Sequence, residues 1–152
     1  RTRNLEKIEE IRMIIARCEI CHVAMTDPEG NPYVIPMNFG FREDTIYLHS
    51  AQEGKKINCL KNNPSVCINF TTDHKLLFQT REVACSWSMR YSSVLCYGKV
   101  EFIDDPEEKR RALDIVMKQY TEGKFSYNNP SIREVNCWQV KVEKFEGRIH
   151  RH

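Results

Sequence analysis

The sequence predicts a mainly β fold, an antiparallel barrel with helices at its periphery, built as a single domain over residues 1–152. Three observations predict it. Short runs rich in β-branched and aromatic residues are separated by clusters of Gly, Pro, Asn and Asp. Three helix-period stretches interrupt these runs without the regular strand–helix alternation of a parallel sheet. The length of 152 residues suits one core and leaves too little chain for a second full domain. At this size about 70% of the unfolded surface is buried on folding, so neither disulfides nor a structural metal are needed.

Taken in order, residues 4–17 place Leu5, Ile8, Ile11, Ile14 and Ile15 at helical spacing among charged neighbours, with Asn4 as the expected N-cap. Residues 20–26 read as a strand, Asp27-Pro28-Glu29-Gly30-Asn31 as a turn and residues 32–40 as a second strand. Pro36 removes a ladder donor from that strand, which points to a sheet edge, a bulge or a ligand-facing segment. Arg42-Glu43-Asp44 turns the chain into a third strand over 45–50, and the three strands are expected to form a meander. A short helix over 51–60 is closed by Asn62-Asn63-Pro64. Strands are expected at 65–71, 76–84 and 91–103, the last with Val94, Cys96, Gly98, Val100 and Phe102 on one face. Asp104-Asp105-Pro106 opens a helix that carries Ala112, Leu113, Ile115, Val116 and Tyr120. Residues 121–134 read as a polar loop. The closing strand, 135–145, alternates Cys137, Gln139 and Lys141 against Trp138, Val140 and Val142.

Composition excludes several classes. With 41% hydrophobic and 29% charged residues the chain is not a disordered one. Mean hydropathy is −0.56 and no apolar run approaches the ~18 residues of a spanning helix, so no membrane association is expected. Twenty-three Lys and Arg against 21 Asp and Glu leave +2, too balanced for a chain whose main work is neutralising nucleic-acid phosphates. The seven cysteines are odd in number and sit mostly in apolar runs, and Arg1-Thr2-Arg3-Asn4 has no apolar signal core. Buried thiols in a reducing cytoplasm are the expectation.

Cys18-Glu19-Ile20-Cys21-His22 matches the Cys-x-x-Cys-His pattern of haem attachment. It straddles a helix end and an apolar strand, and no second Cys or His pair with zinc-ligand spacing follows, so core or near-surface thiols are expected. Cys85, Ser86 and Ser88 lack a Gly-x-Ser-x-Gly elbow and read as a polar loop. The segment His49-Ser50-Ala51-Gln52-Glu53-Gly54-Lys55-Lys56 is richer. A strand ends in a hydroxyl, a glycine follows, and a helix begins on two lysines. Helix N-terminal amides, a hydroxyl and paired ammonium groups make a phosphate cradle. A solvated helix start with outward lysines is the alternative.

The chain resembles the FMN-binding split-barrel family of pyridoxamine 5'-phosphate oxidase-like proteins, and within it the nitroimidazole-resistance (Nim) branch of flavin-nucleotide-binding proteins. The resemblance rests on Tyr33 to Asn38, Ile46 to Ser50, Gly54-Lys55-Lys56, Asn63 to Val66, Ala84 to Val94, Gly98 to Glu101 and the Glu107-Glu108-Lys109 helix, in that order and spacing. It implies a six-stranded antiparallel split barrel that dimerises and binds FMN between subunits. It implies flavin contacts at Val34, Ile35, Pro36, Met37 and Asn38, at His49 and Ser50, and phosphate contacts at Lys55 and Lys56. The oxidase's Arg-Gln pair falls at Ser92 and Ser93, which the resemblance places among the cofactor contacts, and its Arg-Leu-x-Pro ending has no counterpart in Arg148-Ile149-His150-Arg151-His152. Both departures count against pyridoxamine-phosphate oxidation. The expectation is a cytoplasmic homodimeric oxidoreductase passing electrons from reduced FMN to a small acceptor such as a nitroaromatic, with His49 and Tyr91 as candidate catalytic groups. A non-catalytic flavin-binding or sensing module and a haem-binding split barrel are the alternatives.

Overall fold

The computed structural model describes residues 1–151. The chain runs β1 (Thr2–Leu5), α1 (Ile8–Arg17), β2 (Cys21–Thr26), β3 (Pro32–Met37), β4 (Gly40–Arg42), β5 (Thr45–Ser50), α2 (Lys55–Asn62), β6 (Ser65–Leu77) and β7 (Ser88–Ile103), then α3 (Pro106–Tyr120), α4 (Asn129–Glu134), β8 (Asn136–Lys141) and β9 (Lys144–His150). Every strand pairing is antiparallel. The strand order is β3-β2-β6-β7-β8-β5-β4, and β9 joins β7 to β1. The two ends of this path do not meet. The fold is the mainly β antiparallel split barrel that the sequence predicts.

β7 is the hinge of the architecture. Tyr91–Tyr97 lie between β6 and β9, whereas Val100–Ile103 pair with β8 in the other half of the barrel. Ser92, Val94, Cys96, Gly98 and Val100 are buried in strict alternation, as a strand with one face on the core requires. Inside sit Val23, Ile46, Leu48, Ile68, Phe70 and Trp138, closed by Ile11, Ile14 and Ile15 of α1 and by Ile57 and Leu60 of α2. A smaller cluster lies under α3, around Tyr47, Ala112, Ile115, Val116 and Cys137.

Packing departs from the sequence expectation at several places. Asn4 does not cap a helix: Thr2–Leu5 pairs with β9, and α1 begins at Ile8 with Lys7 as N-cap and no side-chain cap bond. Pairing on the edge of β9, with Leu5 buried, outweighs local helix propensity there. The expected meander does not form. β3 pairs with β2 and β4 pairs with β5, and Asn38-Phe39 carries the chain from one sheet to the other. Phe39 is fully buried at that crossing, and its N–H donates to the Tyr120 hydroxyl at 3.0 Å. The helix expected over 51–60 starts only at Lys55. β6 extends through Leu77 past a bulge at Thr72–Lys75, and residues 78–87 form a loop in which Phe78 stacks on Trp87 at 4.3 Å. Within the expected polar loop lies α4, capped by Asn128, whose side chain accepts from the Ser131 N–H at 2.8 Å. The buried Lys109 donates to the carbonyls of Ile132 (3.1 Å) and Val135 (2.9 Å), satisfying the end of that helix. The expected closing strand divides into β8 and β9. Cys137 and Trp138 are both buried because β8 lies between the main core and the α3 cluster.

α3 packs against β4 at Gly40, where an added Cβ meets the backbone nitrogen of Val116 at 2.6 Å and the carbonyl carbon of Ile115 at 2.7 Å. Neither atom is the movable end of a side chain. Gly40→Ala is therefore expected to lower unfolding free energy by about 1–3 kcal/mol, read as a shift in denaturant midpoint. An unshifted midpoint contradicts this close approach.

Candidate functional site

The segment linking β5 to α2 is built around one glycine. Gly54 has φ 134° and ψ 177°, a conformation that side chains resist, and it turns the chain directly into α2. No side chain caps this helix, and its first turn carries no carboxylate. Its first two residues are instead Lys55 and Lys56. Cations at a helix N-terminus oppose the macrodipole, the reverse of the usual preference. Such an arrangement is relieved when an anion accepts the free amides and faces both ammonium groups.

Lys55 Nζ lies 4.4 Å from the centroid of the Tyr33 ring, a cation–π contact that ties the start of α2 to β3. β3 is an edge strand with two prolines, Pro32 and Pro36. Pro36 lies opposite His22, and on an edge strand its missing N–H falls on the open side, which explains how a proline sits inside a strand. Val34, Pro36 and Asn38 face outward, with Val34 59% exposed, whereas Tyr33, Ile35 and Met37 turn toward the core. Ile35 and Met37 thus offer only backbone to a ligand on the outer face.

His49 and Ser50 end β5, opposite Cys137 and Asn136. His49 is half-buried, and desolvation holds its pKa below the ordinary histidine value, so the imidazole is neutral at pH 7. In that state one ring nitrogen donates a hydrogen bond and the other accepts one. The Ser50 hydroxyl has a structural duty. It accepts from the Trp138 indole N–H at 3.1 Å and donates to the Ala51 carbonyl at 2.9 Å.

Ser92 and Ser93 point to opposite faces of β7. Ser92 is buried, and its hydroxyl helps hold the Asp73 carboxyl below its usual range, after the larger effect of Arg17. Ser93 accepts from Asn69 Nδ2 at 3.1 Å on the outer face. Asn69 lies opposite His22, and His22 opposite Pro36, so one row of that face runs from the edge strand to β6. A cleft of about 480 Å³ there is lined by Asn69, Tyr91, Ser93, Leu95 and Arg148 among others. Tyr91 stacks on His150 at 5.6 Å. The fold therefore joins β3 to Lys55 and joins Tyr91 to Ser93. His49 belongs to the other sheet and shares no pairing with Tyr91. Sequence reasoning did not single out Tyr33 or Asn69 as site residues. Asn69 was legible as the polar interruption in Val66-Cys67-Ile68-Asn69-Phe70.

The remaining motifs have structural roles. Cys18 and Cys21 are buried, and desolvation pushes their thiols up to about 11 and about 12, while His22 points the opposite way to solvent. Inert core thiols, not haem attachment, follow from this. Ser86 Oγ accepts from the Thr80 N–H at 3.1 Å and bonds to the Thr80 carbonyl at 2.6 Å, bracing the loop. Among the described residues no group of three metal-ligating side chains converges, and no helix is long and apolar enough to cross a membrane.

The fold and site define a class: a split barrel whose proline-bearing edge strand lies beside a cationic helix start. The profile of the family described as pyridoxamine 5'-phosphate oxidase matches residues 7–149, and the chain belongs to that family. It is similar to the crystal structure of a candidate 5-nitroimidazole antibiotic resistance protein from Bacteroides thetaiotaomicron, at 50% identity and TM-score 0.89, covering 98% of this chain and 87% of that one. The FAD and heme binding protein from Mycobacterium smegmatis shares the fold at 15% identity and TM-score 0.87, covering 98% and 74% of the two chains. So does an FAD-binding protein from Mesorhizobium loti, at 22% identity and TM-score 0.70 over 99% of each chain. Comparison with curated proteins gives no match.

Proposed function

We propose that the protein is a cytoplasmic, homodimeric FMN-binding flavoprotein that passes electrons from reduced flavin to a small acceptor such as a nitroaromatic. The observation that carries this reading is the Lys55–Lys56 pair on an uncapped helix start, tied through Tyr33 to an exposed edge strand. That arrangement fits a phosphate held beside a flat aromatic group lying along Val34 and Pro36. Bound flavin supplies the electron chemistry, and the chain supplies binding and orientation. Lys55, Lys56 and the α2 amides hold the phosphate. His49, neutral and half-buried at the end of β5, is placed to hydrogen-bond the ring system or an acceptor. The family membership and the flavin-binding relatives support the cofactor class. The 50% identity to a candidate nitroimidazole resistance protein supports the acceptor class.

Dimerisation is supported by exposed apolar groups on the β6–β7 arm, where Leu76, Phe78, Val83 and Met89 are each more than 40% exposed. A second copy is the natural cover for them.

Three measurements on one preparation test the reading. The purified protein should show flavin absorption bands and no haem Soret band. Light scattering should give about 36 kDa, twice the 18.0 kDa chain. His49→Ala should retain FMN while losing most turnover of a nitro compound supplied with a reduced nicotinamide donor. A colourless preparation that does not take up added FMN contradicts the cofactor. Bound flavin without turnover in the parent leaves the binding-module reading.

A further inference from the structure

We infer that a second anion site, distinct from the Lys55–Lys56 helix start, lies at the far end of the β6–β7–β9–β1 ladder and takes an organic diphosphate. Lys75 on β6 is directly opposite Arg90 on β7. Tyr91 lies opposite His150, which puts Arg90 beside Arg151, and the Arg151 N–H donates to the Arg1 carbonyl at 2.9 Å. Four cations therefore stand in one row: Lys75 and Arg90 within β6 and β7, and Arg151 and Arg1 one residue beyond the ends of β9 and β1. Three strand spacings of about 4.8 Å make the row roughly 14 Å long. Like charges directly opposite across strands repel, and chains normally avoid them.

The surroundings neutralise the row only in part, through a weak attraction between Asp73 and Arg90. Among the described residues Lys75, Arg90 and Arg151 have no carboxylate within ion-pair distance. Asp73, the one carboxylate lining the cleft, is held by Arg17 at 2.7 Å. The three cations line a cleft of about 590 Å³ with His74, Ser92 and Ile149. That volume suits a small molecule, and the charge of +2 for the whole chain does not suit a nucleic-acid surface. A diphosphate spans two or three of these positions and presents oxygens to both guanidinium forks. This inference stands apart from the flavin reading, since its cations are not the Lys55–Lys56 pair and only Ser92 of the cleft is among the expected cofactor contacts.

The test is calorimetric titration at low salt with inorganic pyrophosphate and with ADP. It is carried out on the Lys55→Ala, Lys56→Ala variant, so that the helix start cannot contribute. Saturable binding is expected, and adding Arg90→Gln should weaken it roughly tenfold through the loss of charge-assisted bonds. Binding of ADP at least as tight as that of pyrophosphate supports an organic diphosphate, whereas binding of pyrophosphate alone overturns the organic ligand. Arg90→Gln in the otherwise unaltered protein should raise the melting temperature of the ligand-free form at low salt, because it relieves the repulsion, and should leave FMN colour unchanged. No binding of either probe, or binding indifferent to Arg90→Gln, overturns the inference. An RNA oligonucleotide that binds more tightly than pyrophosphate and depends on Arg90 also overturns it.

Discussion

Replacing Lys55 and Lys56 together by alanine is expected to weaken FMN binding about a hundredfold and to give a pale protein with its fold intact. The phosphate of FMN carries close to two negative charges at neutral pH. On the proposed site it faces two ammonium groups and the free first-turn amides of α2. Losing two charge-assisted contacts costs on the order of 3 kcal/mol, which is that hundredfold. The apo helix should gain slightly, because two cations leave the positive end of its dipole. Affinity should be measured by flavin fluorescence at two salt concentrations, since exposed ion pairs weaken with ionic strength. Riboflavin, which lacks the phosphate, should bind parent and variant alike. Parental FMN affinity in the double variant would place the phosphate elsewhere.

Trp138→Ala is expected to cost about 3–5 kcal/mol of stability, the usual toll of emptying a fully buried aromatic site. Trp138 is 0% exposed and lies between Leu48 of β5 and Phe102 of β7, so it packs across three strands. Trp138→Phe should cost far less, because it keeps most of the packing. Ser50→Ala leaves the indole N–H without its acceptor in a buried place and should cost about 1–3 kcal/mol. Denaturant midpoints order the three variants. A Trp138→Ala midpoint equal to that of the parent contradicts the placement of β8 in the core. Ser50→Ala also separates two duties of one hydroxyl: a stability loss with unchanged FMN affinity assigns it to the indole alone.

Much of the fold was legible because local chemistry and tertiary packing agree. Asp27 predicts a turn, and its carboxylate accepts the N–H groups of Glu29 and Asn31 at 3.0 and 2.8 Å. Asp105 and Pro106 announce α3, and Asp105 does accept from the Glu108 N–H at 3.0 Å. Alternation along β7 reports its buried face. Where the two levels disagree, sequence reading fails. Asn4 looks like a cap until β9 offers Thr2–Leu5 an edge. The strands flanking Asn38-Phe39 look like neighbours until the barrel splits between them.

The same division holds for the candidate site. The order Gly54-Lys55-Lys56 after a strand ending in Ser50 is a local pattern, so the two readings it offers, a phosphate cradle or a solvated helix start, come from neighbouring residues alone. By itself the sequence determined the mainly β class, the start of α3, the proline that marks β3 as an edge, a bulge or a ligand-facing segment, and the cation pair, because each depends on neighbours within a few residues. Only the tertiary structure decided that Lys55 meets the Tyr33 ring, that Ser50 satisfies Trp138, that Ser92 and Ser93 face opposite ways, and that Lys75, Arg90 and Arg151 stand in one row. Those contacts join residues distant in the chain, and their partners are set by strand register and sheet curvature, which no local preference encodes.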